Sequence, residues 1–221
     1  MGKRLAYLHT VAGLTATFKA LSDELLPGID LFHIVDESLL QNTIRANQLT
    51  PQTMRRLLRL VISAEEAGAD VVMVTCSSVG PAVEASRPFV SIPLLRVDEP
   101  MAELAVESGT TIGVAATLPT TLKPTADLIS NVAARRGKSI QLVSKLCEGA
   151  FQAVVSGDTA RHDQLVSAGL QELAPQVDVI VLAQASMARV VETLPAETRR
   201  VPILSSPRLA VERLAQLIPT L

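Results

Sequence analysis

The chain has 221 residues, room for one large or two small domains, and a net charge of −2 with no Lys/Arg run longer than a pair. It therefore carries no basic stripe for a phosphate backbone, and nucleic acid is excluded as an expected partner. Apolar residues make up 48% of the chain but aromatics only 2%, so the core is built from Val, Leu, Ile and Ala, the usual filling of parallel sheets covered by helices.

Met1-Gly2-Lys3-Arg4 leads straight into Leu5-Ala6-Tyr7-Leu8, an apolar run too short for a secretory signal. Nowhere does an apolar stretch approach the roughly 20 residues that cross a bilayer, so no membrane association is expected. Without a signal, Cys76 and Cys147 read as free thiols of a cytoplasmic protein. His9, His33 and His162 lack the spacing of a closed zinc site, and no metal or other cofactor is expected.

Strands and helices alternate along the chain, which predicts an α/β fold with parallel sheets. The first four strands are expected at Arg4 to His9, Ile29 to Val35, Asp70 to Thr75 and Pro93 to Arg96. A helix over Pro51 to Ala67 opens with Thr50 as its cap and Pro51 at its first position. It carries Met54, Leu57, Leu58 and Val61 on one face and stops at Gly68. Pro81 and Pro100 mark early positions of two more helices. Four further strands follow at Thr111 to Ala116, Ile140 to Val143, Asp178 to Ala183 and Pro202 to Ser205. Among them, Asp158 to Leu173 reads as a helix capped by Asp158, with Leu165, Gly169 and Leu173 along one side.

The second set of strands repeats the first. Asp70-Val71-Val72-Met73-Val74-Thr75-Cys76-Ser77-Ser78 returns 108 residues later as Asp178-Val179-Ile180-Val181-Leu182-Ala183-Gln184-Ala185-Ser186, and the match continues through Val83-Glu84 to Val191-Glu192. Ile92-Pro93-Leu94-Leu95 returns as Val201-Pro202-Ile203-Leu204 and Leu8-His9-Thr10 as Ala115-Ala116-Thr117, at offsets of 109 and 107. No low-complexity linker separates the halves. The copies differ where chemistry is expected: the first has Cys76, the second Gln184.

Ligands bind at the carboxyl ends of parallel strands. The loops there hold His9, Thr10, Asp36, Glu37, Cys76, Ser77, Ser78, Thr117, Thr120, Thr121, Gln184, Ala185 and Ser186. This set, rich in hydroxyls and poor in cations, suits a small carboxylate held by hydroxyls and by N–H groups at helix N-termini. Cys76, at the start of a helix, is expected to have a lowered pKa and to act as base or nucleophile; the other reading is a small core hydrophobe. His9 is expected to face the same cleft and either stabilise a thiolate, act as a second acid/base, or hydrogen-bond the backbone. Thr117, Thr120 and Thr121 either touch substrate or cap the following helix. Asp36-Glu37 read as supporting acids or as a solvated strand-to-helix turn. Cys147 in a helical-looking segment, His33 inside a strand and His162 on a helix surface read as structural.

The strand-Cys-Ser-Ser turn, its repeat, and Ala116-Thr117-Leu118-Pro119-Thr120-Thr121 together resemble the aspartate/glutamate/hydantoin racemase superfamily over nearly the whole chain. The resemblance implies two flavodoxin-like parallel-sheet domains related by pseudo-twofold symmetry, residues 1–98 plus 206–221 and residues 99–205. The last helix, about Ser206 to Leu221, would cross back to the first domain, and the active-site cleft would lie between them. It further implies a cofactor-independent reaction at the carbon next to the carboxylate of a small acid or amino-acid derivative, and, since related folds commonly dimerise, a homo-oligomer.

In the racemases of this family a cysteine follows the third strand of each domain. One thiolate removes the α proton and the other thiol returns one to the opposite face. Cys76 matches the first; Gln184 stands at the second, and an amide neither gives nor takes that proton at a useful pKa. The expectation is a racemase-like isomerase with Cys76 as base or nucleophile and Gln184 orienting or polarising the substrate. A malonate-type decarboxylase with Cys76 as proton donor and a non-catalytic carboxylate-binding protein are the alternatives.

Overall fold

The structure is a computed structural model and describes residues 2–221. Its contacts divide the chain into two compact units, one running through Glu99 and including Pro207–Leu221, the other comprising Pro100–Ser206.

The first unit holds a parallel sheet of β1 (Arg4–His9), β2 (Asp30–Val35), β3 (Val71–Val74) and β4 (Leu94–Arg96) in the order β2-β1-β3-β4. Its helices are α1 (Leu14–Leu25), α2 (Glu37–Arg45), α3 (Pro51–Glu66) and α4 (Gly80–Ser86), joined by the final helix, Ser206–Leu217. Alternation along the strands sorts the core. Ala6, Leu8, Val72 and Val74 pack with Leu39, Leu57, Val61, Ala82 and Val83 of α2 to α4. Leu5, Tyr7, Val71 and Met73 pack with Phe18 of α1 and with Ala210, Val211 and Leu214 of the final helix. Leu8 lies opposite both Ile34 and Val74, and Val74 opposite Arg96. The chain leaves β1 toward β2 on one side and returns to β3 on the other, so the switch point at which such sheets bind ligands lies between the ends of β1 and β3.

The second unit repeats this plan with β5 (Thr111–Ala116), β6 (Gln141–Leu146), β7 (Val179–Leu182) and β8 (Ile203–Ser205) in the order β6-β5-β7-β8. Its helices are α5 (Glu99–Ser108), α6 (Pro119–Arg135), α7 (Ala150–Val155) and α8 (Thr159–Leu173); the final helix is α9. One sheet face packs Ala115, Ile180 and Leu182 against Val166, Leu170 and Leu173 of α8.

The repeated aspartates that open both sequence copies tie the third strand of each unit to the start of its first. Asp70 Oδ2 accepts the Arg4 N–H at 2.7 Å, and Asp178 Oδ2 accepts those of Thr111 and Thr110 at 2.8 and 2.9 Å. These backbone hydrogen bonds hold both carboxyls below their ordinary range. A Cβ on Gly109 would lie 2.4 Å from Asp178 Cβ, so the approach to β5 leaves room only for glycine.

Several elements differ from expectation. β6 runs to Leu146 rather than Val143, which puts Cys147 in the turn after a strand instead of in a helix. His162 is fully buried rather than on a helix surface, because it shares the inward stripe of Val166, Leu170 and Leu173. Gln184 leads into a 3₁₀ run, Ala185–Thr193, and Cys76 into one 3₁₀ turn, Ser77–Val79, before α4. Among the described residues no helix is long and apolar enough to cross a membrane.

Candidate active site

At the switch point of the first unit, the face that carries Leu8 and Val74 continues two residues on to Thr10 and Cys76. The Thr10 hydroxyl, the Ser78 and Val79 N–H groups and the Ser78 hydroxyl lie around the Cys76 sulfur and favour its thiolate. Ser77 and Ser78 are buried in the turn, and Cys76 keeps part of its surface open to solvent. Burial pushes the thiol above its ordinary pKa despite those donors, opposite to the lowering expected from a helix N-terminus. Desolvation of the anion is the largest influence on this thiol and outweighs the donors around it.

His9 lies on the other face of the sheet. Its Nδ1 is 2.8 Å from Thr75 Oγ1 and its Nε2 2.8 Å from His33 Nδ1, with the ring stacked beside Tyr7 and tilted against Phe18. His9 and Cys76 therefore leave the sheet on opposite faces: His9 and Thr75 follow Tyr7 and Met73, while Thr10 and Cys76 follow Leu8 and Val74. His33, read from sequence as a strand residue without a role, is its partner.

Burial, reinforced by the neighbouring His33, pushes His9 down to about 4 from 6.5. The unfolded chain gains a proton here between those values while the folded chain does not, so folding stability falls as pH drops through that window. At about 1.4 kcal/mol per pKa unit the loss is roughly 3 kcal/mol. Urea unfolding at neutral pH and near pH 4 measures it, and His9→Gln, which keeps polar contacts but cannot titrate, is expected to remove most of the difference. Carboxyls held low, such as Asp36, add to the loss only at the acid end of the window, as the pH nears their unfolded value of 3.8.

Thr117 and Gln184 occupy the same place in the second unit. Gln184 Oε1 accepts the Thr117 N–H at 2.6 Å and the Thr117 hydroxyl at 3.0 Å. A backbone N–H only donates, so the atom facing it is the amide oxygen, and the Gln184 NH₂ is turned away with two N–H donors to offer. In the following helix the N-cap is Leu118, which has no side-chain cap to give, and the Thr117 hydroxyl is engaged by Gln184. Thr120, in the first turn of α6, is only 8% exposed, and its hydroxyl has no hydrogen-bond partner. Thr121 is buried beside it in the chain; Ala185 is partly buried and Ser186 exposed.

Thus the structure joins Thr10, Cys76 and Ser78 in one unit and Thr117 with Gln184 in the other, and it sets His9 apart with Thr75 and His33. Asp36 caps α2 by accepting the Ser38 N–H at 3.1 Å and pairs with Arg56 at 2.6 Å, a structural role. Cys147 packs in the core of the second unit, where burial pushes its thiol up to about 11. A Cβ on Gly169 would sit 2.7 Å from its sulfur, so α8 rests directly on that thiol. Among the described residues no three His, Cys, Asp or Glu side chains cluster as a metal site requires.

The fold is similar to that of glutamate racemase from Bacillus anthracis, with 18% identity over 99% of this chain and 82% of that one and a TM-score of 0.71. It is similar also to allantoin racemase from Klebsiella pneumoniae (17%, 99% and 89%, TM-score 0.69) and to aspartate racemase from Picrophilus torridus (15%, 97% and 95%, TM-score 0.72). At these identities the likeness establishes the fold. No curated protein matches the sequence. Residues 9–214 match the family model for Asp/Glu/hydantoin racemase. With the doubled parallel sheet and with Cys76 and Gln184 following the third strand of each half, this chain belongs to the Asp/Glu/hydantoin racemase family.

Proposed function

We propose that the protein is a cofactor-independent, racemase-like isomerase acting at the carbon next to the carboxylate of a small acid or amino-acid derivative, with Cys76 and Gln184 serving the same substrate. The observation that carries this reading is the division of labour between the copies. One holds a thiol among hydrogen-bond donors; the other holds an amide whose oxygen is tied to Thr117 and whose NH₂ is left to donate.

In the proposed reaction the Cys76 thiolate removes the α proton, and the C–H electron pair moves into the carboxyl group to give an enediolate. The thiol so formed then returns the proton to the opposite face, once the planar enediolate has turned that face toward the sulfur, so that the carbon is inverted rather than restored. The Gln184 NH₂ and the Thr120 hydroxyl donate to the carboxylate oxygens, on which negative charge builds. Thr10, Ser78 and the Val79 N–H steady the sulfur, and Thr117 fixes Gln184. Ser77, Thr121, Ala185 and Ser186 belong to the turns that shape the site.

One observation favours a second reading. A thiol held above its ordinary pKa rests protonated at neutral pH, which suits a donor. A malonate-type decarboxylase needs only that donor, because loss of carbon dioxide makes the carbanion without a base. Proton NMR in deuterium oxide with a panel of dicarboxylates, amino acids, hydantoins and malonates tests both. Deuterium entering next to a carboxylate without gas release is expected; stoichiometric carbon dioxide would replace isomerase with lyase. Binding without exchange, unaffected by Cys76 alkylation, would leave a binding protein.

A further inference from the structure

Arg96, in β4 directly beside Val74 of β3, is a charged residue only 3% exposed. Its Nε and Nη2 donate to the two oxygens of Asp98 at 3.0 and 2.9 Å, and its Nη1 donates to Glu84 of α4 at 2.6 Å. Taking such a group out of water is costly, and apolar residues would fill the same space at least as stably. Its plane is in use, however. A Cβ on Gly80 would lie 2.4 Å from Arg96 Cζ and Nη2, so the Gly80 backbone rests on the guanidinium. Gly80 has an ordinary helical φ of −52°, and what demands glycine is this contact rather than its conformation.

Gly80 ends the Ser77–Val79 turn and begins α4, a helix of seven residues that is too short to hold itself in place. Arg96 grips that helix at both Gly80 and Glu84. The turn in front of it presents the Ser78 and Val79 N–H groups to Cys76.

The second unit supplies an internal comparison. Leu182 pairs with Ser205 as Val74 pairs with Arg96, so serine stands in place of the arginine. At the repeat offset of 108 residues Gly80 becomes Ala188, and a 3₁₀ run replaces the turn and α-helix. The arginine, the glycine and the ordered helix are present together in the copy that has the cysteine and missing together from the copy that has the glutamine.

We infer that Arg96 is a positioning residue for Cys76: its guanidinium is the floor on which Gly80 rests, and it holds the Ser77–Val79 turn so that the Ser78 and Val79 N–H groups meet the sulfur. This deepens the reading of Cys76 as the reacting group and rests on it for functional meaning, but its test needs no substrate.

The test is the pH dependence of iodoacetamide alkylation, resolved by peptide mapping into separate rates for Cys76 and Cys147, in the full-length protein and in Arg96→Lys and Gly80→Ala. Arg96→Lys keeps a cation between Asp98 and Glu84 but loses the flat fork. Gly80→Ala pushes the turn off its floor. Where Gly80→Ala does not fold, Arg96→Lys alone decides. Misplaced N–H donors disfavour the thiolate, so Cys76 alkylation near neutral pH is expected to slow about tenfold, its profile moving to higher pH, while Cys147 is unchanged. General loosening would speed both cysteines. A Cys76 profile unaltered in folded Arg96→Lys, or one that moves together with Cys147, overturns the inference. Because thiol titration is read without turnover, failure of the proposed reaction remains separable from failure of this one.

Discussion

Cys76→Ser is expected to lower turnover roughly 1,000-fold with little change in KM, within the range lost when a general acid–base group is removed. Serine keeps the size and the contacts with Thr10, Ser78 and Val79, but an alcohol does not ionise in the accessible range and supplies no base. The raised thiol gives the prediction a second arm. If Cys76 acts as base, kcat/KM of the unmodified protein climbs with pH above neutrality as the thiolate forms, and this rising limb disappears in the variant. If it acts as a donor, activity instead falls along the same limb, so the sign of the slope separates isomerase from lyase chemistry. Cys147→Ser is the control. That thiol lies in the core against Gly169, so its replacement is expected to lower stability and leave kcat intact. Equal loss of turnover in both variants would remove Cys76 from its assigned role.

The doubled sheet is legible in the sequence because buried parallel strands appear as unbroken Val/Ile/Leu runs, and Asp70 and Asp178 mark equivalent points that the structure explains by equivalent hydrogen bonds. Cap chemistry is equally plain at Thr50 and Asp158, whose side chains accept the N–H groups of Thr53 and Arg161. The facing of residues at the strand ends is harder to read. His9 and Thr10 are neighbours, but the pleat sends them to opposite sides, and only the pairing of Leu8 with Val74 shows which one accompanies Cys76. His33 reaches His9 because Tyr7 pairs with it across the sheet, a tertiary relation with no local mark. His162 was open to detection: it falls four, eight and eleven residues before Val166, Leu170 and Leu173, on the same helical stripe. The thiol pKa was not, since it depends on the balance between desolvation and the donors around the sulfur, which only the fold sets.

Replacing Gln184 is expected to separate what the amide does from what a second thiol would do. In Gln184→Glu one carboxylate oxygen still accepts from Thr117 as Oε1 does, so the anchor survives. The NH₂ donors are gone, and a second acceptor with negative charge stands in their place. A hydrogen bond to a charged group is worth about 1.5–3 kcal/mol, so KM for a carboxylate substrate is expected to rise roughly 10- to 100-fold, with partial recovery toward pH 4 as the new carboxyl protonates. An unchanged KM would show that the amide donates to nothing in the substrate. Gln184→Cys asks the complementary question. The unmodified chain, with Cys76 as the one thiol assigned to the reaction, is expected to racemise aspartate and glutamate poorly, and a second reacting thiol should raise that rate by restoring a protonatable group. The gain is limited, because the new sulfur must lie within about 0.5 Å of a productive position and loses the Thr117 anchor that Gln184 enjoys. Chiral chromatography started from each enantiomer measures both variants. Rapid two-way racemisation by the unmodified protein would mean that another group returns the second proton and that Gln184 does not mark a one-thiol mechanism.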